Sequence, residues 1–121
     1  MSSGEEQYLS LLQKILHEGE RRPTRNAVTY SLFGAHLKFD LNAEGFPLLT
    51  TKKMYWKGVV KELLWFLKGE TDAKKLSGEG VRIWNGNSTR EFLDARGLQH
   101  YMEGDCGPIY GFQWRHFRLW I

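Results

Sequence analysis

The sequence predicts an α+β fold, and the evidence is the kind and the order of its periodic stretches. Apolar residues recur every three or four positions in two stretches, as in amphipathic helices, and alternate with polar residues in another, as in a strand. These stretches do not follow one another in the repeated β-α-β order that builds a doubly wound parallel sheet. With 121 residues the chain has room for one domain only.

The N-terminal part is expected to begin with a helix and to continue into a strand. Residues 8–16 carry apolar side chains at helical spacing, and Gly19 is placed to end that helix. Residues 29–41 alternate between apolar and polar, which predicts a strand with a kink or bulge at Gly34. Residues 46–52, FPLLTTK, are then expected to form a connection.

The C-terminal part is expected to be mostly helical. Residues 56–67 have the pattern of a second long helix, and Gly69 lies where a C-cap belongs. Three shorter segments follow: a helix over residues 72–76, a strand over residues 81–84, and a helix starting at Asn87 or Ser88. Ser88 and Glu91 have the spacing of a capping box, and residues 104–111 form a glycine-rich tight loop.

Composition and charge exclude several classes of protein. Hydrophobic residues make up 41% and charged residues 26%, and no apolar run approaches the roughly 20 residues of a membrane helix. The N-terminus has no features of a secretory signal and the single cysteine fits a reducing compartment, so we expect a soluble, cytoplasmic protein. Nucleic acid is not an expected partner despite the net charge of +3, because basic and acidic residues are interleaved.

Arg21, Arg22 and Arg25 form the one local concentration of positive charge. It is either a solvated basic turn or a small anion site, since guanidinium groups bind phosphate oxygens in a bidentate fork.

Glu62, in the second long helix, has no basic neighbour in register. The lysines of that helix share a different stripe, at Lys57, Lys61 and Lys68. The residues three and four positions from Glu62 are all uncharged: Gly58, Val59, Trp65 and Phe66. Apolar surroundings favour the neutral form of a carboxyl group, which suits proton transfer near neutral pH, although a partner from elsewhere in the fold remains open.

Four segments of the chain resemble thymidylate synthases in the same order and at compatible spacings. They read FPLLTTK, WKGVVKELLWFLKGET, IWNGN and GDCGPIYGFQWRHF, and the resemblance extends from about residue 6 to residue 117. It implies an α+β fold around a large sheet and a homodimeric methyltransferase of nucleotide biosynthesis. Such enzymes make dTMP from dUMP with 5,10-methylenetetrahydrofolate as one-carbon donor and reductant, without a metal.

The resemblance also implies roles for single residues. Glu62 matches the family's catalytic glutamate, and Tyr110 matches a tyrosine that supports the hydrogen-bond network of the active site. Three further residues match the segment that packs on the rings of the folate: Ile83, Trp84 and Asn87. Lys52 and Tyr55 match positions near the folate. Without the resemblance, Ile83 and Trp84 would be interpreted as core and Tyr110 as a buried hydroxyl with a partner.

Two departures from the family concern the phosphate site and the nucleophile. Arg25 is the expected ligand of the dUMP phosphate, with Arg22 as second choice, although residues 25–29 lack the family's glycines and are one residue short. The family continues past the position of residue 117 to a Pro-Pro-Cys-His segment with the nucleophile, whereas residues 118–121 are an atypical tail. We therefore expect residues 1–121 to be the N-terminal, incomplete part of a single thymidylate synthase-like domain, inactive alone.

Cys106 is not expected to replace that nucleophile. A reactive cysteine needs a nearby base or cation to lower its pKa, and Asp105 next to it has the opposite effect.

Two alternatives to the synthase remain open. One is a non-catalytic truncated product that binds a partner such as a complete synthase subunit, and the other is a relative that hydroxymethylates a nucleotide.

Overall fold

The computed structural model describes residues 3–25 and 27–117, and it divides into two compact units, residues 1–54 and residues 55–121. Helices and a small antiparallel sheet confirm the predicted α+β class. The predicted atypical tail, residues 118–121, lies outside the described residues. Within the described part of the chain, no helix is both long and apolar enough to cross a membrane.

The first unit consists of a long helix, a hairpin and a short helix. Its elements are α1 (Ser3–Glu18), β1 (Glu20–Pro23), β2 (Val28–Ser31) and α2 (Leu41–Glu44). The Gly19 N–H donates to the Ile15 carbonyl at 2.9 Å, so α1 ends where the sequence predicts. The strands pair antiparallel, with Glu20 opposite Ser31 and Arg22 opposite Thr29.

Side chains distant in sequence hold α1. The carboxylate of Glu44 accepts from the N–H groups of Ser3 and Gly4, at 3.0 and 3.2 Å, and from the Ser3 hydroxyl. This acceptor at the positive end of a helix also keeps the pKa of Glu44 below its usual value, chiefly through the Ser3 hydroxyl. The Gln7 amide donates to the Lys38 carbonyl at 2.8 Å and accepts from the Lys38 N–H at 3.0 Å.

The predicted strand over residues 29–41 is wrong beyond Ser31. Ser31 pairs with Glu20, and α1 ends at Glu18, so among the described residues no strand continues the pairing beyond Ser31. Gly34 adopts φ +77°, which turns the chain as only glycine readily does. Lys38 then finds its hydrogen bonds on the side chain of Gln7 rather than on a strand.

The second unit is helical, with a core between its first two helices. Its elements are α3 (Trp56–Leu67), α4 (Ala73–Gly78), a 3₁₀ turn (Asn85–Asn87), α5 (Arg90–Ala95) and α6 (Tyr110–His116). α3 has the predicted bounds, and Gly69 after it has φ +72°. Leu76 and Val81 are each 1% exposed and pack with Trp65, which is 4% exposed.

The predicted lysine stripe on α3 is confirmed. Lys61 donates to Glu79 at 2.6 Å, and this contact is the main reason why the pKa of Glu79 is lowered. The charges of Lys68 and Lys57 lower it further, so all three lysines act on the same carboxylate.

Three local predictions in this unit are wrong. Residues 81–84 form no strand, because backbone bonds from Val81 to Leu76 and from Asn85 to Arg82 make turns of them. The N-cap of α5 is Thr89, whose hydroxyl accepts from the Phe92 N–H at 3.1 Å, rather than Ser88. Helix α6 begins at Tyr110, within the residues 104–111 expected to be a loop.

Candidate functional site

Glu62 lies half-buried on α3 and accepts a hydrogen bond from a tryptophan. The Trp84 Nε1–H donates to Glu62 Oε1 at 2.7 Å, a short distance typical of a charge-assisted bond. Among the described residues no lysine or arginine forms an ion pair with Glu62. The partner that the sequence left open is therefore an indole, and the carboxylate keeps free acceptor capacity because it can accept about four bonds.

Phe66 is the centre of the aromatic cluster beside this carboxylate. Its ring centroid lies 5.4 Å from those of Tyr110 and Trp114 and 6.2 Å from that of Trp84, all in edge-to-face geometry. Gly111 lets α6 approach this closely, since a Cβ there would lie 2.7 Å from the Glu70 carbonyl oxygen. The cluster fixes Tyr110 against the same helix that carries Glu62.

Two residues in or next to this cluster are exposed to solvent. Tyr110 and Ile83 are 56% and 51% exposed, whereas Trp84 is half-buried. Asn87 is exposed at the end of the 3₁₀ turn, where its N–H donates to the Trp84 carbonyl at 3.1 Å. Exposed apolar and aromatic side chains near a carboxylate suit a flat, partly polar ring.

The remaining predicted residues are distributed between the two units. Tyr55 precedes α3 in the second unit, where its hydroxyl donates to the Gly80 carbonyl at 3.2 Å. Lys52 is exposed in the first unit, in the connection over residues 46–52, which has neither helix nor strand as predicted. The structure thus brings together Glu62, Trp84, Ile83, Asn87 and Tyr110, and holds Lys52 in the other unit.

Both candidate phosphate ligands are exposed in the first unit. Arg22 lies on β1, and its Nε donates to Glu20 at 2.9 Å. Arg25 lies in the turn between β1 and β2. Arg22 is thus engaged by a neighbouring carboxylate on its own strand.

Cys106 is a poor nucleophile in this environment. Burial is the largest cause of a raised pKa of its thiol, and the charge of Asp105 raises the pKa further. A hydrogen bond from Ser88 acts in the opposite direction without reversing the shift.

Phe66 and Trp114 are not among the residues that the sequence singled out for the site. Phe66 contacts Trp84, Tyr110 and Trp114, which lie 18, 44 and 48 positions further along the chain, so helical periodicity does not reveal these contacts. The available signal was the density of aromatic residues, 14% of the chain.

Known proteins similar to this chain agree on one family. The family model described as thymidylate synthase matches residues 6–119. The chain is 58% identical to a thymidylate synthase of Candida albicans over 118 residues, which are 96% of this chain and 38% of that protein. It is 55% identical to one of Ascaris suum, with 97% and 40% covered, and 55% identical to one of Homo sapiens, with 94% and 36% covered.

The chain therefore spans about two fifths of the length of the curated relatives it matches. The chain belongs to the thymidylate synthase family.

Proposed function

We propose that this chain supplies the glutamate and the folate-facing part of an enzyme that converts dUMP to dTMP with 5,10-methylenetetrahydrofolate. The observation that carries the proposal is the Glu62 carboxylate, held at 2.7 Å by the Trp84 indole, whose ring lies 6.1 Å from the exposed ring of Tyr110. A folate would supply both the one-carbon unit and the reducing hydride when bound. Its flat ring system fits the exposed faces of Ile83 and Tyr110.

In this proposal Glu62 moves protons to and from the pyrimidine and the departing folate through ordered water. One oxygen is fixed by Trp84, which orients the carboxylate, and the other is available to water. Ile83 and Trp84 pack on the folate rings, and Asn87 binds at their polar edge. Tyr110 supports the hydrogen-bond network, while Lys52 and Tyr55 lie near the folate.

Arg25 is the proposed ligand of the dUMP phosphate, and Arg22 is the second candidate. At Arg22 a phosphate would have to compete with the Glu20 carboxylate, which already accepts from the Arg22 Nε–H at 2.9 Å. Asn26, which follows Arg25, lies outside the described residues.

The covalent nucleophile of the proposed reaction is not Cys106, since its raised pKa leaves little thiolate at neutral pH. We therefore propose that the 121 residues alone release no tritium from 5-tritiated dUMP. Release that disappears in Cys106→Ser would contradict this part of the proposal.

A hybrid enzyme tests the function. Residues 6–117 of this chain replace the matching part of the Candida albicans synthase, to which the chain is 58% identical. We expect the hybrid to release tritium from labelled dUMP and to support growth of a thymidine-requiring strain. Glu62→Gln should lower turnover by roughly 10²–10⁴-fold, because the amide cannot exchange protons.

Glu91→Gln, an exposed glutamate of α5, is the matched control and should be neutral. A hybrid that folds like its parent but is inactive would contradict the proposed function. Near-parental turnover in Glu62→Gln would make that residue structural. Detection of hydroxymethylated nucleotide instead of dTMP would favour the hydroxymethylase alternative.

Exposed apolar side chains on α3 favour a second role in association. Val59, Leu63, Leu64 and Leu67 are 43–49% exposed, and three of them follow one another at four-residue spacing along one face of α3. A homodimer, or a non-catalytic complex with a synthase subunit, would cover such residues. The single cysteine supports a cytoplasmic setting for either form.

A further inference from the structure

Glu5 binds two consecutive residues of the connection over residues 46–52. Its side chain lies in the first turn of α1 and is 4% exposed. The carboxylate accepts from the N–H and the hydroxyl of Thr50, at 2.6 and 2.7 Å. It also accepts from the N–H and the hydroxyl of Thr51, at 2.7 and 2.9 Å.

These four donors satisfy a charge that would otherwise be costly to bury. The Thr51 N–H and the Thr50 hydroxyl are the largest causes that lower the pKa of Glu5 from 4.5 to about 2. Glu5 is therefore an anion at any physiological pH, and it binds both threonines in one geometry.

The connection has no helix or strand to define its conformation. The backbone N–H groups of Thr50 and Thr51 point to Glu5 instead of to a backbone carbonyl, so this side chain sets the local path of the chain. Lys52 follows directly, and its exposed side chain departs from a backbone that Glu5 holds in place.

We propose that Glu5 is a positioning residue that presents Lys52 to the folate cosubstrate by holding Thr50 and Thr51. This inference rests on the proposed function, from which the role of Lys52 comes. If Glu5 served only to stabilise α1, its loss would weaken that helix. The start of that helix is already tied by Glu44, so loss of Glu5 should affect residues 50–52 rather than the helix.

Amide hydrogen exchange on the 121-residue chain tests whether Glu5 holds the backbone of Thr50 and Thr51. In Glu5→Gln the amides of Thr50 and Thr51 should exchange roughly ten- to a hundredfold faster, as expected for lost charge-assisted hydrogen bonds. The amides of α1 should keep their parental rates. The control is Glu6→Gln, an exposed glutamate one position along, which should change neither set. Unchanged exchange at Thr50 and Thr51, or a general loss of protection in α1, would overturn the inference.

Kinetics of the hybrid enzyme test whether Glu5 affects folate binding through Lys52. Glu5→Gln should raise the KM for the folate about tenfold, with kcat and the KM for dUMP nearly unchanged. If Glu5 acts through Lys52, the same substitution should have no further effect in a Lys52→Ala background. Additive effects of the two substitutions in an active hybrid would overturn this inference alone. An inactive unsubstituted hybrid would overturn the proposed function and this inference with it.

Discussion

Replacing Trp84 with phenylalanine removes the N–H donor that orients Glu62 in the described part of the chain, and keeps an aromatic ring in the cluster. The lost bond is 2.7 Å long and joins an indole N–H to a half-buried carboxylate. A hydrogen bond to a charged group contributes about 1.5–3 kcal/mol. In the hybrid enzyme this corresponds to a loss of roughly ten- to a hundredfold in kcat/KM, because about 1.4 kcal/mol is one factor of ten.

Trp114→Phe is the matched control for Trp84→Phe. The Trp114 ring also packs edge-to-face on Phe66, at 5.4 Å, but it does not contact Glu62 through a hydrogen bond in the described structure. The assay is initial-rate tritium release over a range of pH, with circular dichroism as the check on folding. The reasoning would be refuted if Trp84→Phe stayed within a factor of three of the parent, or if both substitutions had the same effect.

Arg25→Ala in the hybrid should weaken dUMP binding by about 1.5–3 kcal/mol and folate binding much less; if isothermal titration assigns the loss to Arg22→Ala instead, the proposed order is reversed. Leu76→Ala should lower the free energy of unfolding by about 2–5 kcal/mol, because this side chain is 1% exposed. Leu67→Ala should lower it by less than about 1 kcal/mol, because Leu67 is 48% exposed. Equal urea midpoints for the two variants would contradict the described core. The pKa of Glu5 is about 2 in the folded chain and 4.5 ordinarily, so its contribution to the free energy of unfolding is complete above pH 4.5 and is lost as the pH falls towards 2. The difference in melting temperature between the parent and Glu5→Gln should shrink between pH 4.5 and pH 2. A constant difference over this range would refute the role of the Glu5 charge.

Elements fixed by neighbours in sequence could be predicted closely. α3 has the predicted bounds because its apolar period, its length and the glycine after it are all local signals. The predicted strand over residues 29–41 is wrong beyond Ser31 because a strand needs a partner, and the described residues offer none past the pairing of Glu20 with Ser31. The alternation of apolar and polar residues in one strand does not reveal where the strand that pairs with it ends.

The same distinction applies to the candidate site. The absence of a basic neighbour near Glu62 was visible on one helix, whereas its bond to Trp84 crosses 22 residues and depends on the turn over residues 81–84. α6 was missed because Gly111 was interpreted as a loop residue. Its actual role is close packing against Glu70, which only the assembled fold reveals.

The tie between Glu44 and the start of α1 has a consequence for synthesis on the ribosome. Sixteen residues make a marginal helix in water, and the carboxylate that caps this one is encoded 41 positions after Ser3. At about 5–20 residues per second, this helix leaves the ribosome several seconds before its cap. During that interval its apolar face is available to chaperones, and the translation speed between codons 3 and 44 influences how long the nascent helix stays without its cap.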